Sequence, residues 1–227
     1  MIMQNYYTGF LFLVIIITMS SPKNSKAWFK QHINDPFVKR AQHEGQRSRA
    51  VFKLTEIQDK YRFLQPGMVV VELGAAPGSW TELLAKQLGK KGLLIAVDLL
   101  PMNPVENTLI LQGDIESDIM LDDLKTALGK RAVNWVISDC APDLTGNATM
   151  DAARALNLAQ CVLDLADKLL PDGGGLLLKA FQGAGFTEFL QSIKQKYDKV
   201  RVVKPQASRA QSREVYILAS GHKRTEL

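Results

Sequence analysis

The chain is poor in the residues that most often build metal and disulfide sites. Of 227 residues only two are cysteine and three are histidine. Cys140 and Cys161 stand too far apart for a CxxC pair and have no histidine beside them, which argues against a zinc site or a disulfide framework and for a reducing compartment. His32, His43 and His222 lie scattered among polar and basic residues and are expected at the surface or against a polyanion, not on a metal. Internal repeats are absent. The most hydrophobic window, Phe10 to Ile17, is too short to span a bilayer comfortably. No Lys or Arg precedes it, the first being Lys23, so it makes a poor secretory signal. Residues 1–18 are expected to be a non-native apolar extension ahead of a soluble chain starting at Met19, with a membrane anchor as the alternative.

A dinucleotide fingerprint is also missing. Val69-Val-Val-Glu-Leu-Gly-Ala-Ala-Pro-Gly-Ser-Trp-Thr81 is an apolar run that breaks into a small, glycine-punctuated turn and restarts as an amphipathic segment, which reads as strand, tight loop and helix. Gly74, Ala75, Ala76 and Gly78 put almost no side-chain bulk between the backbone and a ligand. NAD binding would ask for Gly-x-G-x-x-Gly; here the spacing is Gly74-x-x-x-Gly78, and Pro77 removes an amide that could hold a pyrophosphate. The loop therefore suits S-adenosylmethionine better than NAD.

What is abundant is basic charge, and it is segregated. The net charge is +5, yet residues 23–53 hold eight Lys/Arg against Asp35 and Glu44, and residues 194–224 hold nine against Asp198 and Glu214. The middle of the chain is left acidic. Solubility does not require this partition, so a polyanion is expected to meet the two flanks, with Lys39, Arg40, Arg47 and Arg49 on one side and Arg201, Lys204, Arg209 and Arg213 on the other. With 46% apolar and 22% charged residues the length suits one buried α/β domain.

Residues 19–47 read as a flexible basic arm that becomes ordered around Trp28-Phe29 and Phe37-Val38. From Ser48 the pattern turns helical, with Ala50, Phe52, Leu54 and Ile57 on one face. One α/β domain then runs over 48–221, and residues 222–227 are a tail. The periodicity predicts strands at 68–73, 92–97, 108–112, 133–138, 174–180, 199–203 and 213–219, with helices near 78–89, 116–128, 149–170 and 185–196. This alternation implies a mostly parallel seven-stranded sheet with helices on both faces; the last strand, having no room for a crossover helix, enters antiparallel. Ligands of such sheets sit outside the carboxyl ends of the strands, where Glu72, Asp98, Asp114 and Asp139 fall. Asp98 is placed to accept from ribose hydroxyls and Asp114 to reach an adenine amine.

Six segments in order carry a more specific signal: Arg47-Ser-Arg-Ala-Val-Phe-Lys-Leu54, Leu73-Gly-Ala-Ala-Pro-Gly-Ser-Trp80, Asp98-Leu-Leu-Pro-Met102, Leu111-Gln-Gly-Asp114, Ser138-Asp-Cys-Ala-Pro142 and Ser208-Arg-Ala-Gln-Ser-Arg-Glu-Val-Tyr216. Together they resemble the FtsJ/RrmJ family, also called RlmE, of ribosomal RNA large subunit methyltransferases. The resemblance covers about residues 25–221. It implies a Rossmann-like methyltransferase fold, S-adenosylmethionine as donor, and 2'-O-methylation of a uridine in the A-loop of 23S rRNA, within the 50S subunit, by a cytoplasmic protein without stable membrane association. It also implies a catalytic tetrad of Lys53, Asp139, Lys179 and Glu214, and donor-binding positions at Gly78, Trp80, Asp98, Asp114 and Asp139. Ser79 departs from the family's usual second glycine, and Cys140-Ala-Pro-Asp143 from its usual Met-Ala-Pro-Asn. A cytosine C5-methyltransferase with Cys140 as nucleophile would place that thiol after Pro or Thr, which this sequence does not, so Cys140 is expected to pack. The tetrad speaks against an RNA-binding protein with a degenerate pocket. A 2'-hydroxyl attacking an activated methyl group needs alignment and removal of a proton, and no metal.

Overall fold

The computed structural model describes residues 33–143 and 145–224. The expected apolar extension, the start at Met19, the ordering at Trp28-Phe29, His32 and the last three residues of the tail lie outside them. Thirteen elements are assigned in this part. They are α1 (Pro36–His43), α2 (Val51–Tyr61), β1 (Val69–Leu73), α3 (Ser79–Leu88), β2 (Leu93–Asp98), β3 (Thr108–Gln112), α4 (Asp118–Leu128), β4 (Trp135–Ser138), α5 (Ala148–Leu169), β5 (Gly175–Phe181), α6 (Phe186–Lys196), β6 (Tyr197–Val203) and β7 (Glu214–His222).

The strands form one seven-stranded sheet in the order β3-β2-β1-β4-β5-β7-β6. β1 to β5 run parallel, and β7 is antiparallel to both β5 and β6. The antiparallel last strand is thus as expected. Rather than adding to the edge, it inserts between its hairpin partner β6 and the central β5.

Strands buried on both faces read as continuous apolar runs, and their alternation divides the core in two. Val71, Leu73, Ile95, Val97, Val136, Leu176, Leu178 and Ile217 point to α4, α5 and α6. Val70, Leu94, Ile137, Leu177, Tyr216 and Leu218 point the other way, to Leu54 and Ile57 of α2 and to Trp80, Leu84 and Leu88 of α3. Because side-chain direction has period two, Glu72, Asp139, Lys179, Glu214 and Tyr216 all inherit the α2/α3 face.

Helix α1 is the element with the weakest expectation. Asp35 caps it by accepting from the Phe37 amide at 3.0 Å, and Pro36 at the first position has no amide to leave unpaired. Its Ala41 packs with Val51, Phe52 and Ala207. The helical pattern predicted from Ser48 begins at Val51, because the Ser48 hydroxyl captures the Ala50 amide at 3.2 Å in a local turn. His222, expected at the surface, is buried at the end of β7. Its Nε2 sits 3.1 Å from Asp167 Oδ1, since β7, flanked by β5 and β6, brings its end against α5.

Candidate active site

The strand order reverses between β1 and β4, and open α/β sheets hold their ligands in the trough outside the carboxyl ends of the strands at such a switch point. The loop after β1 is held close. Gly74 has φ +76°, and a Cβ there would come 2.6 Å from Cys140 Sγ, so only glycine lets the loops after β1 and β4 touch. Gly78, at φ +98°, precedes α3, whose first-turn amides have no carbonyl within their own helix and face outward as donors.

The carboxylates expected at the strand ends differ in what they do. Asp98 Oδ2 accepts from the Ala76 amide at 2.8 Å and Oδ1 from the Leu100 amide at 2.8 Å, which ties the loop after β1 to the loop after β2. Each of its oxygens keeps a lone pair for a ribose hydroxyl. Asp114 is exposed, and its Oδ1 accepts from the Glu116 amide at 2.9 Å in its own turn. Glu72 is fully buried. Desolvation, and then the charges of Asp139 and Asp98, push its carboxyl up to about 8, with the Thr81 hydroxyl opposing. Its Oε2 has no hydrogen-bond partner.

Trp80 does not line the trough with its ring. The indole is buried, donates to the Ala50 carbonyl at 2.6 Å and lies 5.6 Å from the Tyr216 ring, so a ligand can reach only its backbone. The apolar demand of the α2–α3 contact turned it inward. Cys140 packs against Gly74, and burial raises its thiol to about 11, which leaves it without thiolate character.

Four of the predicted residues meet on the α2/α3 face. Lys53 from α2 lies 2.7 Å from Glu214 Oε1, and Lys179 Nζ lies 3.2 Å from Asp139 Oδ1 and donates to the Asp139 carbonyl at 2.6 Å. Tyr216 joins the two pairs. Its hydroxyl donates to Asp139 Oδ1 at 2.5 Å and accepts from Lys53 Nζ at 3.3 Å. Burial, followed by Asp139 and Glu214, holds this phenol well above its ordinary value, so it remains a proton donor. Ser208 completes the chain by donating to Glu214 Oε1 at 2.8 Å. Sequence reasoning gave Tyr216 no role, although the signal was there: two residues after Glu214 on a strand means the same face. Beside Ser208 opens a cavity of about 370 Å³ lined by Asp35, Phe37, Arg49, Gln206 and Arg209 among others.

Two arginines expected to face a polyanion are committed elsewhere. Arg49 bonds Asp35 and the Ala207 carbonyl, and Arg47 bonds Glu82 and three backbone carbonyls. They supply internal links because each guanidinium is surrounded by acceptors that the fold leaves unpaired. Lys39, Arg40, Arg201, Lys204 and Arg213 remain exposed. Among the described residues there is no cluster of three or more His, Cys, Asp or Glu able to hold a metal, and no helix long and apolar enough to cross a membrane.

The family model for FtsJ-like methyltransferases matches residues 46–222, which spans both the trough and the Lys–Asp–Lys–Glu cluster. The chain belongs to the FtsJ-like methyltransferase family. It is 46% identical over 202 residues to Ribosomal RNA large subunit methyltransferase E of Acinetobacter baumannii, covering 89% of this chain and 94% of that one. It is 44% identical over 205 residues to the protein of that name in Pseudomonas fluorescens, covering 90% and 98%. The fold is similar to a solved structure described as a ribosomal RNA methyltransferase of Plasmodium falciparum, with a TM-score of 0.70, 25% identity, and 78% of this chain and 98% of that chain covered. Human methyltransferase-like protein 13 in complex with SAH shares the fold alone, at a TM-score of 0.54 and 15% identity over 77% and 84% of the two chains. As an RNA methyltransferase of the FtsJ-like family the chain calls for a methyl donor, and the polar groups left uncommitted near the carboxyl ends of β1 and β2 are the uncapped first turn of α3 and the unpartnered Oε2 of Glu72.

Proposed function

We propose that this enzyme transfers a methyl group from S-adenosylmethionine to the ribose 2'-hydroxyl of a uridine in the A-loop of 23S rRNA. The observation that carries the reading is the half-buried cluster of Lys53, Asp139, Lys179 and Glu214, with Tyr216 between its two ion pairs, at the carboxyl edge of the sheet. When bound, the donor supplies a methyl group already activated by a positive sulfur. The chain then has to place the acceptor in line and take its proton.

Lys179 is the residue we assign to that proton. Two acceptors on Asp139 aim its Nζ, and the backbone carbonyl bond fixes the side chain without calling on the carboxylate alone. Asp139 is assigned to hold Lys179 and to border the donor. Lys53 and Glu214 are assigned to the ribose, and Lys179 takes the proton as a neutral amine, becoming the ammonium that Asp139 holds. Gly78, Asp98 and the Trp80 backbone are assigned to the donor. Asp114 is assigned to the adenine amine through its second oxygen.

The RNA is proposed to be met within the 50S subunit by a cytoplasmic protein, on the exposed basic residues of α1, β6 and the segment before β7. Residues 1–18 are proposed to lie outside the functional unit, with activity residing in a chain begun at Met19. The test of the reading is methyl transfer to large subunits lacking the modification. Incorporation of labelled methyl into 23S rRNA, with one A-loop uridine becoming resistant to alkaline cleavage on its 3' side, is the expected result. Label on a base, or none with the wild-type protein, would overturn it.

A further inference from the structure

Arg47 makes four hydrogen bonds that join three segments distant in sequence. Nε donates to Glu82 Oε1 at 2.8 Å on the first turn of α3. Nη1 donates to the Pro77 carbonyl at 2.9 Å in the loop after β1 and to the Asn103 carbonyl at 3.2 Å in the loop after β2. Nη2 donates to the Pro104 carbonyl at 3.2 Å. The two bridged loops follow the carboxyl ends of β1 and β2, and Asp98 ties the same two loops through the Ala76 and Leu100 amides. Space is tight: a Cβ on Gly78 would sit 2.6 Å from Arg47 Nη1 and 3.0 Å from Met102 Sδ. The residues that follow Arg47 continue the seam. Ser48 Oγ accepts from Ser79 Oγ at 2.7 Å, and Ala50 O accepts from the Trp80 indole.

We propose that Arg47 is a positioning residue for the methyl donor: its guanidinium clamps the loop after β1 to the loop after β2 and sets the width of the donor trough before the donor arrives. The proposal rests on the donor reading given above. A guanidinium is needed because its planar fork reaches three directions at once, whereas an ammonium is a single point on a flexible stem. With four of its N–H bonds committed, Arg47 has little left for a phosphate, although it sits on the basic side of the chain. The clamp also links donor to acceptor, since six residues further on the same segment delivers Lys53 to the cluster.

Calorimetry of S-adenosylmethionine binding to the full chain, together with the salt dependence of RNA binding, tests the clamp. Arg47→Ala should weaken donor binding roughly 10- to 100-fold, the scale of losing more than one charge-assisted hydrogen bond. In steady state the loss should fall on KM for the donor far more than on kcat. Arg47→Lys should recover only part of it. The slope of RNA affinity against salt should not change. Amide exchange over residues 75–78 and 99–104 should rise in the unliganded variant. Glu82→Gln, which removes one anchor and leaves Arg47 in place, should weaken donor binding in the same direction, and Arg47→Ala with Glu82→Gln should be no worse than Arg47→Ala alone. Donor affinity unchanged in Arg47→Ala, with or without a lower Tm, would overturn the proposal alone. A salt slope lowered by about one unit with donor affinity intact would make Arg47 a phosphate contact instead. Wild-type protein that bound no S-adenosylmethionine would overturn the donor reading and this proposal with it.

Discussion

The Tyr216 hydroxyl lies 2.5 Å from Asp139 Oδ1 and touches both ion pairs of the cluster, through Asp139 on one side and Lys53 on the other. Register places it there: Tyr216 pairs with Lys179 across the antiparallel β5–β7 ladder, and the end of β4 supplies Asp139. Tyr216→Phe removes the donor to Asp139 and keeps the ring against Trp80. Stability should fall by about 1 kcal/mol, the net worth of a typical hydrogen bond. Single-turnover methylation should slow by roughly tenfold, because Asp139 is then free to move away from Lys179. A rate equal to wild type would leave Tyr216 as packing only.

Lys179 should be the most sensitive position. Lys179→Ala is expected to lower single-turnover rates by about 10²- to 10⁴-fold with donor affinity kept, the range of a positioned acid-base group. Lys179→Arg should be nearly as slow, since a guanidinium does not release its proton near neutral pH. Glu214→Ala should cost less, because the Asp139–Lys179 pair survives. Near-wild-type rates for Lys179→Arg, at saturating RNA and donor, would assign proton removal elsewhere.

Glu72 should make stability fall with pH. Its folded value of about 8 lies above the ordinary value of 4.5. Between those values the folded chain keeps a proton that the unfolded chain has released, so stability declines as pH rises through this window and levels off above it. Glu72→Gln keeps the neutral shape and should flatten the decline, with a higher Tm than wild type at pH 8. Binding of a positively charged donor beside Glu72 should favour its ionised form. Calorimetry at pH 7 in buffers of different ionisation enthalpy should then register proton release for wild type and none for Glu72→Gln; equal release by both would dissociate Glu72 from the donor.

Phosphate contact should belong to the exposed bases. Arg201→Ala with Arg213→Ala is expected to flatten the salt slope of RNA affinity by roughly one to two units and to leave donor affinity alone. Arg49→Ala should act differently. It removes the nearer of the two guanidiniums that pair with buried Asp35, the other being that of Arg209, and should lower Tm, read by thermal denaturation, with the salt slope little changed.

Much of the molecule could be read from the chain because its signals are local. The strands are short apolar runs bounded by turn residues, and their alternation with helices dictates a parallel sheet. Lys53, Asp139 and Glu214 each sit inside a short motif, and Lys179 follows the apolar run of a strand. Helix α1 was weakly legible because its apolar face is narrow; the Asp35-Pro36 start, which caps it, was the signal to use. Trp80 was read as a donor-binding position, and a motif position does not say which way a side chain turns. Here the space between α2 and α3 took the indole and left only the backbone for a ligand.

What the sequence by itself determined is the order of elements, the pocket loop around Gly74 and Gly78, and which residues carry charge at the strand ends. What only the tertiary structure decided is which of those charges meet. Insertion of β7 between β5 and β6 is a choice of pairing partner that no local pattern encodes, and it is this insertion that brings Glu214 and Tyr216 beside Lys179. Likewise, the basic character of residues 47–49 is plain in the sequence, but whether a guanidinium faces a polyanion or a row of carbonyls depends on which backbone groups the folded loops leave unpaired. For Arg47 those are Pro77, Asn103 and Pro104, 30 to 57 residues away along the chain.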